Sequence, residues 1–267
     1  MVGARLSSEN RRSRTLLPEQ ETYPRAPILE AVLDIRVRSS SALSEDSLGE
    51  LRARERGTYP GFRRPFQVQF KVERTDPALE PTSQVSSLAY GGAMVSEDGL
   101  QLFQARPDGF SHNRLAPYQD WVSFSSEARR LWNLYREVVK PEFIEMLGLN
   151  YINRIGLPGG VEISDYLRAY IQVPPELPQI LEVHNFQVQM VDPESQARMS
   201  IVVSFGSIDA KERIPVTLNV QAFKLFVNRA SADVTEDEVW ATFDRLRELK
   251  NLVFESCISD KVREDFR

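Results

Sequence analysis

Cysteine and histidine are almost missing from this sequence: among 267 residues there are one cysteine and two histidines. Cys257 cannot close an internal disulfide, so a reducing compartment, the cytoplasm, is the expected setting. Cys257, His112 and His184 lie far apart in the chain, and none has a ligand-spaced neighbour. A structural zinc site needs four N, S or O ligands, so no metal and no cofactor is expected. His112 and His184 are read as ordinary packing or surface residues, and Cys257 as a small buried apolar group. Long apolar runs are missing too; nothing approaches the ~20 residues that span a bilayer, and no membrane association is expected. There is no G-x-x-x-x-G-K-[ST] loop, no G-x-G-x-x-G after a strand and no G-x-S-x-G elbow. Gly91-Gly92 and Gly159-Gly160 therefore read as turn glycines. Nor does one sign of charge dominate: 33 Lys+Arg against 38 Asp+Glu leave a net charge of −5. A nucleic-acid partner is disfavoured on that balance. The cluster Arg52, Arg54, Arg56, Arg63 and Arg64 is interspersed with Glu50 and Glu55, as on a solvated helix face.

What is present is the composition of an ordinary globular protein, 42% hydrophobic and 27% charged. Residues 1–22 are polar and read as a disordered tail. Arg11-Arg12 followed by Leu16-Leu17 resembles an export signal, but Pro18 to Glu21 interrupt it before an apolar region of roughly 7–15 residues can form. From Ile28 to Arg38 the pattern alternates, with Leu29, Ala31, Leu33, Ile35 and Val37 on one side, the mark of a half-buried strand. Ser44 caps a short helix, and strands follow over 66–73, 83–96, 99–106 and 110–115. Ala128, Leu131, Trp132, Tyr135 and Val138 recur at helical spacing over 125–140, and Pro141 ends that helix. The same order returns: a strand over 149–155, a short helix capped by Ser164 with Leu167, Tyr170 and Ile171 inward, and strands over 181–191, 198–206 and 214–226. A last helix opens with the capping box Thr235 to Glu238. The fold class expected is α+β: a curved antiparallel sheet with helices on one face. It would be a single domain, 23–267, of two β-α-β-β-β-α halves, about 23–145 and 146–267.

The polar sides of these strands are rich in amides and mixed charge. Gln67, Gln69, Gln187, Gln189, Asn219 and Gln221 would form one polar sheet face, offering donors and acceptors without a net field, which suits a protein edge or a polar small molecule. Glu30, Asp34, Arg36 and Arg38 share one side of the first strand. Acid and arginine groups so placed could hold a divalent ion and phosphates, although no E-x-E-x-K strand accompanies them. The simpler reading is a cross-strand ion-pair ladder.

Several blocks resemble a known family. They are Ala26-Pro27-Ile28-Leu29-Glu30-Ala31 with Asp34-Ile35-Arg36; Asn113-Arg114-Leu115 with Tyr118 and Trp121; Tyr151-Ile152-Asn153-Arg154-Ile155; and Leu246, Lys250-Asn251 and Phe254-Glu255. The chain is similar, from about Tyr23 to its end, to a sporadically distributed, uncharacterised family of bacterial proteins of about this length. The resemblance carries no catalytic residue with it. Its patchy distribution implies a defence-related or toxin–antitoxin type of partner.

Asn153 and Arg154 stand inside an otherwise apolar strand. A buried Arg154 would need a carboxylate, Glu30 or Asp34, either as an ion pair fixing how the halves meet or as an anion-binding pocket between them. The candidate polar or anion-binding site is therefore Glu30, Asp34, Arg36, Asn153 and Arg154. The function expected is a non-enzymatic binding or interaction module with a protein or polar small-molecule partner. The alternative is a metal-assisted enzyme acting on a phosphorylated or nucleotide substrate.

Overall fold

Alternation over Ile28–Arg38 builds the middle of a sheet. In the computed structural model, which describes residues 23–39, 43–73, 82–179, 184–207, 212–230 and 233–267, strand β1 (Ile28–Arg38) buries Ala31, Leu33, Ile35 and Val37 on one side. The stretch 1–22 lies outside the described residues. Leu29 falls at an irregularity in the pairing and is largely exposed. The strand from 143 to 158 lies antiparallel beside β1 and opposes Tyr151 to Ala31, Leu149 to Leu33 and Leu147 to Ile35, so apolar faces apolar throughout.

In chain order the remaining strands are β2 (Gly61–Arg63), β3 (Phe66–Glu73), β4 (Thr82–Ala89), β5 (Gly92–Val95), β6 (Gln101–Arg106), β7 (Gly109–Leu115), β8 (Phe143–Pro158), β9 (His184–Val191), β10 (Arg198–Phe205) and β11 (Arg213–Ala230). Nine of them form one open sheet in the order β2-β5-β6-β7-β1-β8-β11-β10-β9, with every pairing antiparallel. Strands β3 and β4 pair with each other as a separate two-stranded sheet. Gln67 and Gln69 were expected on the polar face of the main sheet, but their strand lies in this separate sheet. Alternation fixes which side of a strand is polar, but the sheet it joins depends on its neighbour. The side chains of β3 and β4 lie outside the described residues.

Helix α1 (Glu45–Glu55) starts at Ser44, whose hydroxyl accepts from the Ser47 amide at 3.0 Å. Helix α2 (Trp121–Val139) begins four residues before the expected Ser125, because Asp120 caps it through the Ser123 amide at 2.8 Å. It ends at Lys140, which adopts a left-handed conformation (φ 50°) and donates its amide to the Arg136 carbonyl at 3.0 Å. Helix α3 (Glu236–Cys257) is capped by Thr235, which accepts from the Glu238 amide at 3.1 Å, and α4 (Asp260–Glu264) closes the chain. The helix expected after Ser164 is a 3₁₀ turn, Ile163–Asp165. The amides of Arg168 and Ala169 donate instead to the Cys257 carbonyl, and Leu167 bridges to Ile258. Leu167 is buried as expected, but Ile171 is exposed.

The helices pack on one face of the sheet. Leu131, Trp132 and Tyr135 of α2 and Val239, Phe243 and Leu246 of α3 join Leu33, Ile35, Leu147 and Leu149 in one core. A second core sets Ile155 and Leu157 of β8 and Val216, Leu218 and Val220 of β11 against Val253, Phe254 and Cys257 of α3 and Val262 and Phe266 at the C-terminus. Burying each of these large side chains contributes about 1.5–3 kcal/mol. Close approach dictates one glycine: at Gly91 (φ 78°) a Cβ would strike the Ala105 carbonyl oxygen. No helix among the described residues is long and apolar enough to cross a membrane.

Candidate functional site

The register of the central strands decides where each charged or amide side chain points. Glu30, Val32, Asp34 and Arg36 project from β1 on the side away from the helices, next to Ser111 and Asn113 of β7 and Ile152, Asn150 and Gly148 of β8. Asp34 accepts from Arg36 Nε at 2.9 Å and from Arg106 of β6, and Arg36 also pairs with Asp108. Arg106 donates to Ser111 at 3.1 Å, Ser111 to Asn113 at 3.0 Å, and Asn113 to Glu30 at 2.6 Å. The arrangement is a cross-strand polar ladder over β1, β7 and β6. For Asp108, burial raises the carboxyl pKa, but the Tyr90 hydroxyl and the cations Arg36 and Arg106 outweigh it and hold it below the usual range. Both oxygens of Asp34 already face a guanidinium, which is not how a divalent-ion site is arranged. Among the described residues no group of three or more His, Cys, Asp or Glu could hold a metal ion.

Of the five residues Glu30, Asp34, Arg36, Asn153 and Arg154, the first three belong to this ladder, and Asn153 and Arg154 do not join them. Arg154 sits on the open face of β8 across from Thr217, is exposed, and has no ion pair among the described residues. Its neighbour Asn153 is the buried one, on the helix side, and its amide donates to the carbonyls of Leu218 at 3.0 Å and Tyr151 at 3.2 Å. Period two explains the exchange of roles: Tyr151, Asn153 and Ile155 point inward together, so Arg154 must point out. The carboxylate partner expected for Arg154 is not needed, because water solvates its charge.

Of the amides assigned to the sheet face, Gln187 and Gln189 on β9 and Asn219 and Gln221 on β11 share the open side. The register aligns Gln189, Ser200, Gln221, Asn150 and Val32 in one row across five strands. Gln187 donates to Ser200 at 3.1 Å. The buried Oδ1 atoms of Asn150 and Asn219 have no hydrogen-bond partner.

The helix side holds a pocket of about 470 Å³ that residue patterns alone did not reveal. Its floor is Tyr151 and Asn153 of β8. Its walls are Ala26, Pro27 and Ile28 before and at the start of β1, Tyr118 and Trp121 at the head of α2, and one stripe of α3, Arg247, Lys250, Asn251 and Phe254. The spacing i, i+3, i+4, i+7 puts that stripe on one helical face. Trp121 Nε1 donates to Asp244 at 2.9 Å and ties the head of α2 to α3. Also lining the pocket, Glu255 accepts from Tyr23 at 3.1 Å and from Arg263 at 2.8 Å.

Lys250 is the unusual group. Its side chain is buried, its Nζ lies 3.8 Å from the centre of the Tyr151 ring, and among the described residues it makes no hydrogen bond or ion pair. Burial, with the like charge of Arg247 added, pushes its pKa down to about 7, against a smaller opposite pull from Glu255. Arg247 lies 5.7 Å from the centre of the Trp121 ring, also without an ion pair. The hydroxyls of Tyr118 and Tyr151 are 3.1 Å apart. Burial lifts Tyr118 to about 12 and Tyr151 well above the ordinary phenol value, so both stay protonated.

His112 and Cys257 do not line this pocket. His112 is fully buried, stacks on Phe124 with centroids 5.1 Å apart, and is held to a pKa of about 4 by burial. Cys257 is buried and its thiol is pushed up to about 11, so it is not a ready nucleophile. The side chain of His184 lies outside the described residues.

Pocket residues come from all four blocks that carry the family resemblance: Ala26-Pro27-Ile28, Tyr118 and Trp121, Tyr151 and Asn153, and Lys250-Asn251 with Phe254-Glu255. Lys250 was legible only through that resemblance, since on α3 it reads as one more helix cation. No protein-family model matches the chain, and no curated protein is similar to it.

Proposed function

We propose that this chain is a non-enzymatic binding protein that holds a small polar molecule in the pocket between the head of α2, the inner face of β8 and the second half of α3. The observation that carries the reading is Lys250: a buried, unpartnered amine lining a space of about 470 Å³. A buried polar group without a partner is costly, and a ligand is the missing partner that such a pocket can supply. The aromatic walls and few convergent polar groups suit recognition. The metal-assisted alternative has lost its support, because Asp34 and Arg36 are engaged with Arg106 and Asp108.

Two wider proposals accompany it. Reading outward from the β1–β8 pair, the strands run β7, β6, β5 on one side and β11, β10, β9 on the other. That order supports descent of the two halves from one repeat, with the pocket at their junction. A protein partner on the open sheet face is the second reading, favoured by the polar row Gln189, Ser200, Gln221 and Asn150 across it. Such a partner fits the defence or toxin–antitoxin role that the family resemblance implies.

A fragment screen by ligand-observed NMR tests the main proposal, repeated on Asn251→Trp, which fills the pocket. Hits lost in that variant are expected. A screen without hits, or hits indifferent to the variant, would refute pocket binding.

A further inference from the structure

Most of the charges around the pocket are already balanced. Glu255 is held by Tyr23 and Arg263, and Asp260 by Arg263. Glu248 pairs with Arg245, and Asp120 is occupied by the Ser123 amide and hydroxyl that cap α2. Arg247 and Lys250 differ: each rests on an aromatic ring, and among the described residues neither makes an ion pair or hydrogen bond. They stand one helical turn apart on α3 and line the same space.

We propose that the pocket takes its ligand through a carboxylate seated between the Lys250 amine and the Arg247 guanidinium, with an aromatic body of the ligand against Tyr118, Trp121 and Tyr151. The inference rests on the binding reading above and adds the charge and the anchoring point of the ligand. Two adjacent cations without a counter-ion define a place where an anion is stabilised, and the guanidinium fork matches a carboxylate in geometry. A phosphate dianion fits less well. The one helix N-terminus nearby is closed by Asp120, and Glu248, Glu255 and Asp260 line the same pocket and would repel a second negative charge.

The groups facing Lys250 are Arg247 and Glu255 from α3, Tyr151 from β8 and Tyr118 from the segment before α2. Neither phenol titrates near neutrality, and Glu255 is already paired with Arg263. A carboxylate at Nζ therefore draws a proton onto Lys250, and binding takes up a fraction of a proton at neutral pH.

Calorimetry on the full chain tests this with indole-3-acetate and benzoate, their neutral amides, and phenyl phosphate. The carboxylates are expected to bind at least about ten-fold more tightly than the amides or phenyl phosphate, the scale of one charge-assisted hydrogen bond. Raising the pH from about 7 to about 8.5 should weaken carboxylate binding roughly ten-fold as Lys250 loses its proton. Lys250→Arg should keep the affinity and lose the pH dependence. Arg247→Met should weaken binding and keep the pH dependence. If the amides bind as tightly as the acids and compete for the pocket, the binding reading stands and the carboxylate inference falls. If neither acids nor amides bind, both fall. Carboxylate affinity unchanged in Lys250→Met, with that variant shown folded by near-ultraviolet circular dichroism, overturns the inference as well.

Discussion

Lys250 and His112 are both bases buried without a partner for their charged form, and the direction of each shift fixes when it costs stability. In the unfolded chain Lys250 keeps its proton to the ordinary value of 10.5, whereas in the fold it releases it at about 7. Between those values the folded chain binds fewer protons than the unfolded one, so stability rises with pH through this window. The full penalty, on the order of 3–5 kcal/mol, applies below about pH 7. His112 behaves alike in a lower window, from its ordinary 6.5 to about 4: stability is lost as the pH falls through it. The windows do not overlap, so single variants separate them. Lys250→Met should stabilise the ligand-free protein by about 2–4 kcal/mol near pH 6, with the gain shrinking as the pH approaches 10. Urea denaturation of both proteins at several pH values measures this, and a pH-independent difference would refute the assignment. His112→Phe should flatten the acid side of the stability curve without altering the alkaline side, which the same titration reads out.

At the scale of elements, α1 is held to α2 by one charged network. Arg130 of α2 donates a bidentate pair to Glu55 of α1, at 2.6 and 2.7 Å, and also binds Glu127, which accepts from Tyr59 at 2.8 Å. The carboxylate of Glu55 is 4% exposed, while Arg130 reaches solvent at 46%. Removing the arginine alone leaves a buried acid unpaired, so Arg130→Met should cost about 2–3 kcal/mol, discounted for the solvent that screens the guanidinium. Removing both charges should cost less than removing one, and Glu55→Met/Arg130→Met is expected to recover at least half of that loss. A double variant as unstable as the sum of the singles would show that the pair acts through packing alone. This network was not legible in the sequence, where Glu55 and Arg130 are ordinary helix charges 75 residues apart. What was legible were the features with a local cause. The alternation of β1, the stripe of α2 and the Thr235 cap each follow from neighbours within one turn or one strand, and each stands where expected. The start of α2 was missed because Asp120 lies behind a run of turn residues. The expected helix stops as a 3₁₀ turn after Glu162 because the Cys257 carbonyl, at the end of α3, accepts the amides of Arg168 and Ala169 that would have continued it. Asn153 and Arg154 were recognised as unusual, but Arg154 was expected to be buried beside a carboxylate, since strand alternation relates faces without saying which is inside until the helices are placed.

The two halves of the molecule share more than an edge. β1 and β8 are adjacent, and each is flanked on its other side by a strand of its own half, so parting the halves at residue 141 would expose a long apolar edge on both. The larger core also crosses that boundary. Leu147, Leu149 and Tyr151 of β8 and Val239, Phe243 and Leu246 of α3 pack with Ala31, Leu33, Leu131 and Trp132 from the first half. The first half alone would therefore lose the cover of its central strand, and the second would lose the partner of β8. An unpaired, apolar strand edge is an aggregation template, and neither fragment has a helix free to shield it. Residues 1–140 and 141–267 expressed separately are expected to be unfolded or aggregated, while co-expression should restore a folded complex through the β1–β8 pairing. Amide hydrogen exchange should then find the β1 and β8 amides the slowest in the intact chain, because they sit at the middle of the sheet beneath both helices. A well-dispersed NMR spectrum from either fragment alone would refute this shared core. The Lys250 pocket sharpens the comparison, since its lining comes from Ala26 to Trp121 on one side of the boundary and Tyr151 to Glu255 on the other. Ligand binding should accordingly tighten the association of the two fragments by the same factor by which association tightens ligand binding, a reciprocity that holds only if the halves build the site together.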